Sequence, residues 1–250
     1  MIQNSINDHF QRSKALLGEE FIDKLHNSRA MIFGIGGVGS YALEAVARAD
    51  VGNIIIVDND VVAPSNINRQ LIALSSNIGE SKVDVALRRV KDINPDADVK
   101  AIKAFYLPDS PVEIPDNVNI VLDCIDTVSA KLHIMETCAK KNIALISCMG
   151  MGNRYNPQLI KIGKLNKTSG DPLCKVLRRE TKKRGISNIT VVYSTEEAAK
   201  PGLIVDGKPS PASLPYVPSV GGLYMAYMAC EALGGRQDIL NFIPKKEGAL

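Results

Sequence analysis

No Cys-x-x-Cys pair occurs among the five cysteines of this 250-residue chain, at 124, 138, 148, 174 and 230. That argues against a structural zinc site built from thiolates. The cysteine count is odd and no signal-peptide pattern is present, so reduced thiols in a cytoplasmic protein are expected. No run of about eighteen apolar residues exists, the length a membrane span needs. The richest late stretch, SVGGLYMAYMACEAL at 219–233, is shorter, carries Glu231 and reads as a buried helix. Histidine is scarce, at 9, 26 and 133, and none sits in a pattern that assigns it chemistry. Internal repeats and low-complexity tracts are absent. Strong net charge is absent too: +3 overall, with a pI near 8.5, neither requires nor excludes an acidic partner.

What is present begins with 45% hydrophobic residues, enough for a substantial core in one domain or one domain with an extension. The charge is uneven. Residues 161–184 hold nine lysines and arginines against Asp171 and Glu180, a local +7, so that the rest of a chain totalling +3 carries −4. Within it, PLCKVLRRETKKR places Lys175, Arg178, Arg179, Lys182 and Lys183 at spacings that group several on one helical face. Such a face can follow a nucleic-acid backbone through phosphate contacts. It can equally be a solvated helix over Leu173, Val176 and Leu177.

Apolar residues at 16, 17, 21, 22 and 25 predict a helix over 9–26. RAMIFG then reads as a strand, GIGGVG at 34–39 as a glycine turn, SYALEAVARAD as a helix and NIIIVD at 53–58 as a second strand. Strand, glycine turn, helix and strand in about thirty residues is a βαβ unit of a parallel sheet. A helix over 82–94, a strand at 99–105 and a proline-rich loop at 107–117 follow. NIVLDCID at 119–126 is another buried strand, SAKLHIMETCAKKN the helix after it and ALIS the next strand. Beyond 150, QLIKIGKL and ITVVYS predict an extension of the sheet with antiparallel pieces. Five prolines and two glycines between 195 and 218 predict a mobile connection. The expected fold is therefore α/β: a Rossmann-like doubly wound mixed sheet, parallel in its N-terminal half with an antiparallel extension in the C-terminal half. It is read as a single domain, 1–250, with a nucleotide-binding half at about 27–150 and a substrate-facing half at about 151–235.

In such a unit the glycines admit a phosphate to the backbone N–H groups, and the helix N-terminus adds partial positive charge. Gly34, Gly36 and Gly39 hold the fingerprint positions, with Gly37 an extra. Asp58 ends the second strand, where an acid accepts hydrogen bonds from ribose hydroxyls. This much fits a nicotinamide enzyme. However, Asn66, Arg69 and Gln70 follow closely and Lys82 opens the next helix. A guanidinium, an ammonium and amides near the phosphates suit a triphosphate, whose extra charge must be offset. Asp123 and Asp126 end a further strand, where a carboxylate can hold magnesium. Asp123 could instead cap the following helix.

Arg12, GxGGVGS at 34–40, VDNDVVAPSNINRQ at 57–70, GESK at 79–82 and DCIDT at 123–127 together resemble the ThiF/MoeB family of ubiquitin-activating-enzyme-like adenylating proteins. The resemblance implies ATP with Mg2+, Asp58 as the ribose acid, Asn66, Arg69 and Lys82 at the phosphates, and Asp126 as the magnesium-linked aspartate. It also implies an arginine, Arg12, that reaches the nucleotide of a neighbouring subunit, and hence a homodimer. Residues 146–186, 189–196 and 217–223 resemble the tRNA threonylcarbamoyladenosine dehydratase branch (TcdA, also CsdL). That branch implies ATP-driven activation of the threonyl carboxylate on the modified tRNA and closure of a ring with loss of water, with Arg12, Arg69, Lys82 and Asp126 at the chemistry. It gives the basic stretch a tRNA to contact and admits a sulfur-relay protein as a partner. The other reading is an adenylyltransferase charging the C-terminus of a ubiquitin-like sulfur carrier, against which the missing zinc cysteines count. No thiol nucleophile is expected, because EEAAKPGLIVDGKPSPASLPYVPSV carries no cysteine.

Overall fold

The computed structural model describes residues 9–205 and 207–236, so the segment beyond 236, whose order the sequence leaves open, lies outside the described residues. Helices α1 (Gln11–Leu17) and α2 (Glu19–His26) precede strand β1 (Arg29–Phe33). The single helix expected over 9–26 is thus two, because Gly18 takes φ +88° between them. Its consequence is that α2 buries Phe21, Ile22 and Leu25 while Leu16 of α1 stays exposed.

Next come α3 (Gly39–Arg48), β2 (Asn53–Asp58), α4 (Lys82–Ile93), β3 (Asp98–Lys103) and β4 (Ile120–Asp123). They are followed by α5 (Val128–Lys141), β5 (Ala144–Cys148), β6 (Ile160–Lys164), α6 (Pro172–Lys183) and β7 (Thr190–Ser194). A short hairpin, β8 (Ile204–Val205) and β9 (Lys208–Pro209), interrupts the proline-rich connection before α7 (Tyr216–Leu233). The main sheet has seven strands in the order β3-β2-β1-β4-β5-β7-β6. Every neighbouring pair is parallel except β6 with β7. The expected antiparallel extension is the β6–β7 pair at the end of the sheet. β7 itself lies parallel beside β5, with β6 and α6 in the long connection that a parallel return requires.

Strand alternation builds two cores. Ile54 and Ile56 of β2 face one side with α2, α3, α4 and α7, whereas Ile55 and Val57 face the other with α5 and α6. Two close approaches then fix the ligand edge. A Cβ on Gly222 of α7 would lie 2.3 Å from the Val38 carbonyl oxygen, so glycine alone lets α7 lie against the start of α3. A Cβ on Gly39 would lie 1.8 Å from the Gly34 carbonyl oxygen, so glycine alone lets α3 begin directly behind the turn. As a result the first turn of α7 walls the glycine loop, with Pro218 against Gly37.

Candidate functional site

Strand order reverses at β1 and β4, and ligands in open α/β sheets collect at the C-terminal strand ends there. A cavity of about 530 Å³ occupies that edge. It runs from Phe105 beyond β3, past Asp58 and the glycine turn, to Asp126 after β4, Met149–Gly152 after β5 and Leu173 at the start of α6. Gly34, Gly36, Gly37, Asp58, Asn66, Arg69, Lys82 and Asp126 all line it. Gly39 sits just behind, as the first residue of α3.

Asp58 is tied to the glycine turn. Its Oδ2 accepts the Ile35 N–H at 2.6 Å and its Oδ1 the Asp60 N–H at 2.8 Å. Each oxygen keeps a lone pair for another donor. Gly34, at φ +85°, donates its N–H to Val57 O and so closes the turn on β2. Asn66 Oδ1 accepts the Ala63 N–H at 3.1 Å, which shapes the loop that carries Arg69. Arg69 donates to Ser65 O at 2.7 Å and Asn68 Oδ1 at 2.9 Å, and burial lowers its pKa. Lys82 is buried, with Nζ 2.8 Å from Asp60 Oδ2, so one of its three donors is used and the ammonium is held at the cavity wall. Gln70, which also lines the cavity, is buried near Gly36, and its Oε1 has no hydrogen-bond partner among the described residues.

The two aspartates of DCID separate. Asp126 is exposed and lines the cavity. Asp123 does neither, and it does not cap α5: it forms a fully buried ion pair with Lys131 Nζ at 2.9 Å. Lys131 also donates to Ser147 Oγ at 3.2 Å and Cys148 O at 2.7 Å, while Ser147 donates to Asp123 at 2.5 Å and the Ile125 N–H reaches Asp123 Oδ1 at 3.3 Å. This closed network fixes the turn that presents Asp126. Its sequence signal was a lysine in phase with the apolar stripe Ile134, Met135 and Cys138, a position that residue type rarely holds without a partner.

Arg12 lies exposed on α1 and does not line its own chain's cavity. Among the described residues no three of histidine, cysteine, aspartate and glutamate gather as a metal cluster. The cavity carboxylate Asp126 still suits Mg2+, which is ordinarily held by one or two carboxylates with the remaining positions filled by phosphates and water. The thiols beside the cavity are not poised for attack. Burial pushes Cys148 and Cys174 up to about 12 and Cys124 well above its ordinary range.

On α6 the buried side is Cys174, Leu177 and Thr181, so Lys175, Arg179, Lys182 and Lys183 share the exposed side. Arg178 does not join them. Its Nη1 donates to Thr168 O at 2.7 Å and Thr168 Oγ1 at 2.6 Å, which pins the helix to the preceding loop. Glu180 bonds Arg184, Lys183 and Arg179, and these cations hold its carboxyl down to about 2. No helix among the described residues is long and apolar enough to cross a membrane.

Three comparisons bear on this arrangement. A tRNA threonylcarbamoyladenosine dehydratase of Bacillus subtilis is 40% identical over 233 residues, 86% of this chain and 91% of that protein. One of Escherichia coli is 32% identical over 210 residues, 80% and 78% of the two chains. The crystal structure of the E. coli enzyme, TcdA, in complex with ATP superimposes with a TM-score of 0.83 at 29% identity, covering 95% of this chain and 98% of that one. The model of the ThiF family matches residues 10–243, and the chain belongs to that family.

Proposed function

We propose that this protein is an ATP-dependent tRNA threonylcarbamoyladenosine dehydratase. The observation that carries the reading is the continuity of one cavity: it gathers Asp58, Asn66, Arg69, Lys82 and Asp126 at one end and reaches Leu173, the root of the basic helix α6, at the other. Asp58 receives the ribose, the glycine turn and the start of α3 receive phosphate, and Arg69 and Lys82 offset charge that builds on the phosphates during transfer. Asp126 would hold Mg2+, which, when bound, supplies charge neutralisation at the phosphates. Arg12 of a second copy adds a further cation in a homodimer.

The chemistry is an activation followed by a closure. A carboxylate oxygen of the threonyl group bonds to a phosphorus of ATP, and the bridging oxygen of ATP leaves with the remaining phosphate. An atom of the same modification then attacks the activated carbonyl carbon. The C–O bond to phosphate breaks, a proton is lost from the nucleophile, and a ring remains with one water fewer. Holding both ends of this intramolecular step replaces a bimolecular encounter, an advantage of up to about 10⁵–10⁸ M in effective concentration. The raised thiols leave no cysteine to intercept the activated carboxyl. Of the α6 cations, Lys175, Arg179, Lys182 and Lys183 follow the RNA backbone.

ATP turnover measured with three additions tests the reading. tRNA carrying the threonylcarbamoyl group should stimulate turnover, whereas unmodified tRNA and a ubiquitin-like carrier protein should not. Stimulation by the carrier alone would select the adenylyltransferase reading instead.

A further inference from the structure

The loop that leaves β5, Met149–Gly152, lines the cavity three strands along the sheet from β2, which ends in the ribose acid, and two of its four residues are glycine. Such a backbone has little intrinsic preference for one shape. Arg154 gives it one. The guanidinium is buried, and its Nη1 donates to Gly150 O at 2.5 Å and Gly152 O at 3.2 Å. Its Nη2 donates to Asp171 Oδ2 at 2.6 Å. The other oxygen of Asp171 accepts the Cys174 N–H at 2.8 Å and thereby caps α6. One side chain therefore bolts the cavity loop to the first turn of the basic helix, two residues from Leu173 on the cavity wall. The adjoining Asn153 holds the neighbouring stretch of wall, which packs directly on Gly152. It bonds Ala212 through both its N–H and its Oδ1, each at 2.7 Å, next to Pro211 and Ser213 on the cavity.

The arrangement is a poor source of stability. Both partners of the ion pair are at least 97% buried and Arg154 Nε has no acceptor among the described residues. Buried pairs of this kind tend to be replaceable by apolar side chains without loss of stability. What the apolar replacement could not do is grip two carbonyls and a helix cap at once. We infer that Arg154 is a positioning residue for the acyl end of the reaction, setting the loop on which the tRNA-borne carboxylate is presented, in register with the helix that binds the RNA. This inference rests on the function proposed above.

Arg154→Met, Arg154→Lys and Asp171→Asn test it, the last keeping a side-chain oxygen to cap α6 while removing the charge. A misplacement of about 1 Å costs on the order of 10²-fold in rate, so kcat on modified tRNA should fall about 10–100-fold in Arg154→Met. KM for tRNA and the Kd for ATP should each stay within about threefold, because the α6 cations and the groups that hold ribose and phosphate are untouched. Arg154→Lys, which keeps the charge pair but cannot grip both glycine carbonyls, should recover part of the rate. Hydrogen exchange should quicken at 149–153 and not at 34–40. Arg154→Met leaves Asp171 buried without its counter-charge, so a lower melting temperature is expected whatever the role. A purely structural role would raise both KM and Kd together, or leave kcat of the folded fraction unchanged, and either result overturns the inference. If Arg154→Met does not fold, Asp171→Asn must show the same split. If the wild-type protein does not act on the tRNA, the functional reading has failed, and the exchange pattern with unchanged ATP affinity then decides on Arg154 alone.

Discussion

Lys131→Met removes the ammonium at the centre of the network beneath the cavity. Both partners of its ion pair with Asp123 are wholly buried, and all three of its donors are used. Methionine fills nearly the same space, so the loss is electrostatic rather than a cavity. It leaves the buried Asp123 carboxylate without a counter-charge and takes one donor each from Ser147 Oγ and the Cys148 carbonyl. Breaking one partner of such a pair costs about 3–5 kcal/mol. For a chain of this size each kcal/mol lowers the melting temperature by about 2–4 °C, so calorimetry should record a fall of roughly 6–20 °C. Replacing both charges, Lys131→Met with Asp123→Asn, should recover most of it, since the carboxamide needs no counter-charge. A single variant within about 1 kcal/mol of wild type, or a double variant no more stable than the single, would refute the reasoning. Because the network also fixes the turn that presents Asp126, ATP affinity should weaken in the single variant at temperatures where it remains folded.

Gly39→Ala drives a methyl to 1.8 Å from the Gly34 carbonyl and should lower both melting temperature and ATP affinity, whereas Gly36→Ala, whose nearest neighbour would be 3.9 Å away, should keep its melting temperature and lose ATP affinity by titration calorimetry. Charge reversal of Lys175, Arg179 and Lys182 should weaken tRNA binding and flatten its dependence on salt by about one unit of log slope for each phosphate no longer neutralised, while ATP binding is spared. Arg178→Ala should instead lower stability, because Thr168 and the loop that carries it are then no longer tied to α6. Burial, with Lys167 nearby, brings Lys164 down to about 8, so about half of it is neutral at pH 8 against roughly 0.3% of an ordinary lysine, and amine-directed labelling read by mass spectrometry should find it ahead of lysines with an ordinary pKa. The same shift means that the unfolded chain holds a proton that the folded chain has released between about pH 8 and 10.5. Lys164 therefore adds stability as pH rises through that window, and Lys164→Gln should remove this increment from the melting profile.

Much of the site was legible because its residues act through local sequence. The glycine turn, the acid ending β2 and the cations of the following loop are set by spacing within one βαβ unit, and they meet at one cavity. The residues that escaped act across the fold. Asp123 reads as a site carboxylate until Lys131, eight residues on, is seen to turn inward against it. Arg154 and Asp171 lie in irregular segments with no periodicity, so nothing in the sequence marks either as buried. Arg178 has the same type and spacing as the helix's RNA-facing cations, and only the loop packed against α6 commits it elsewhere. Gly18 hides in a run whose apolar spacing continues on both sides, because its positive φ leaves no trace in hydrophobicity.

Mass analysis of the nucleosides from tRNA incubated with this protein, ATP and Mg2+ reaches the centre of the account. The threonylcarbamoyl nucleoside should become lighter by one water, only when ATP is present, and the conversion should be lost in Lys82→Ala. A nucleoside of unchanged mass, with ATP bound in the cavity and the tRNA bound on α6, would contradict it.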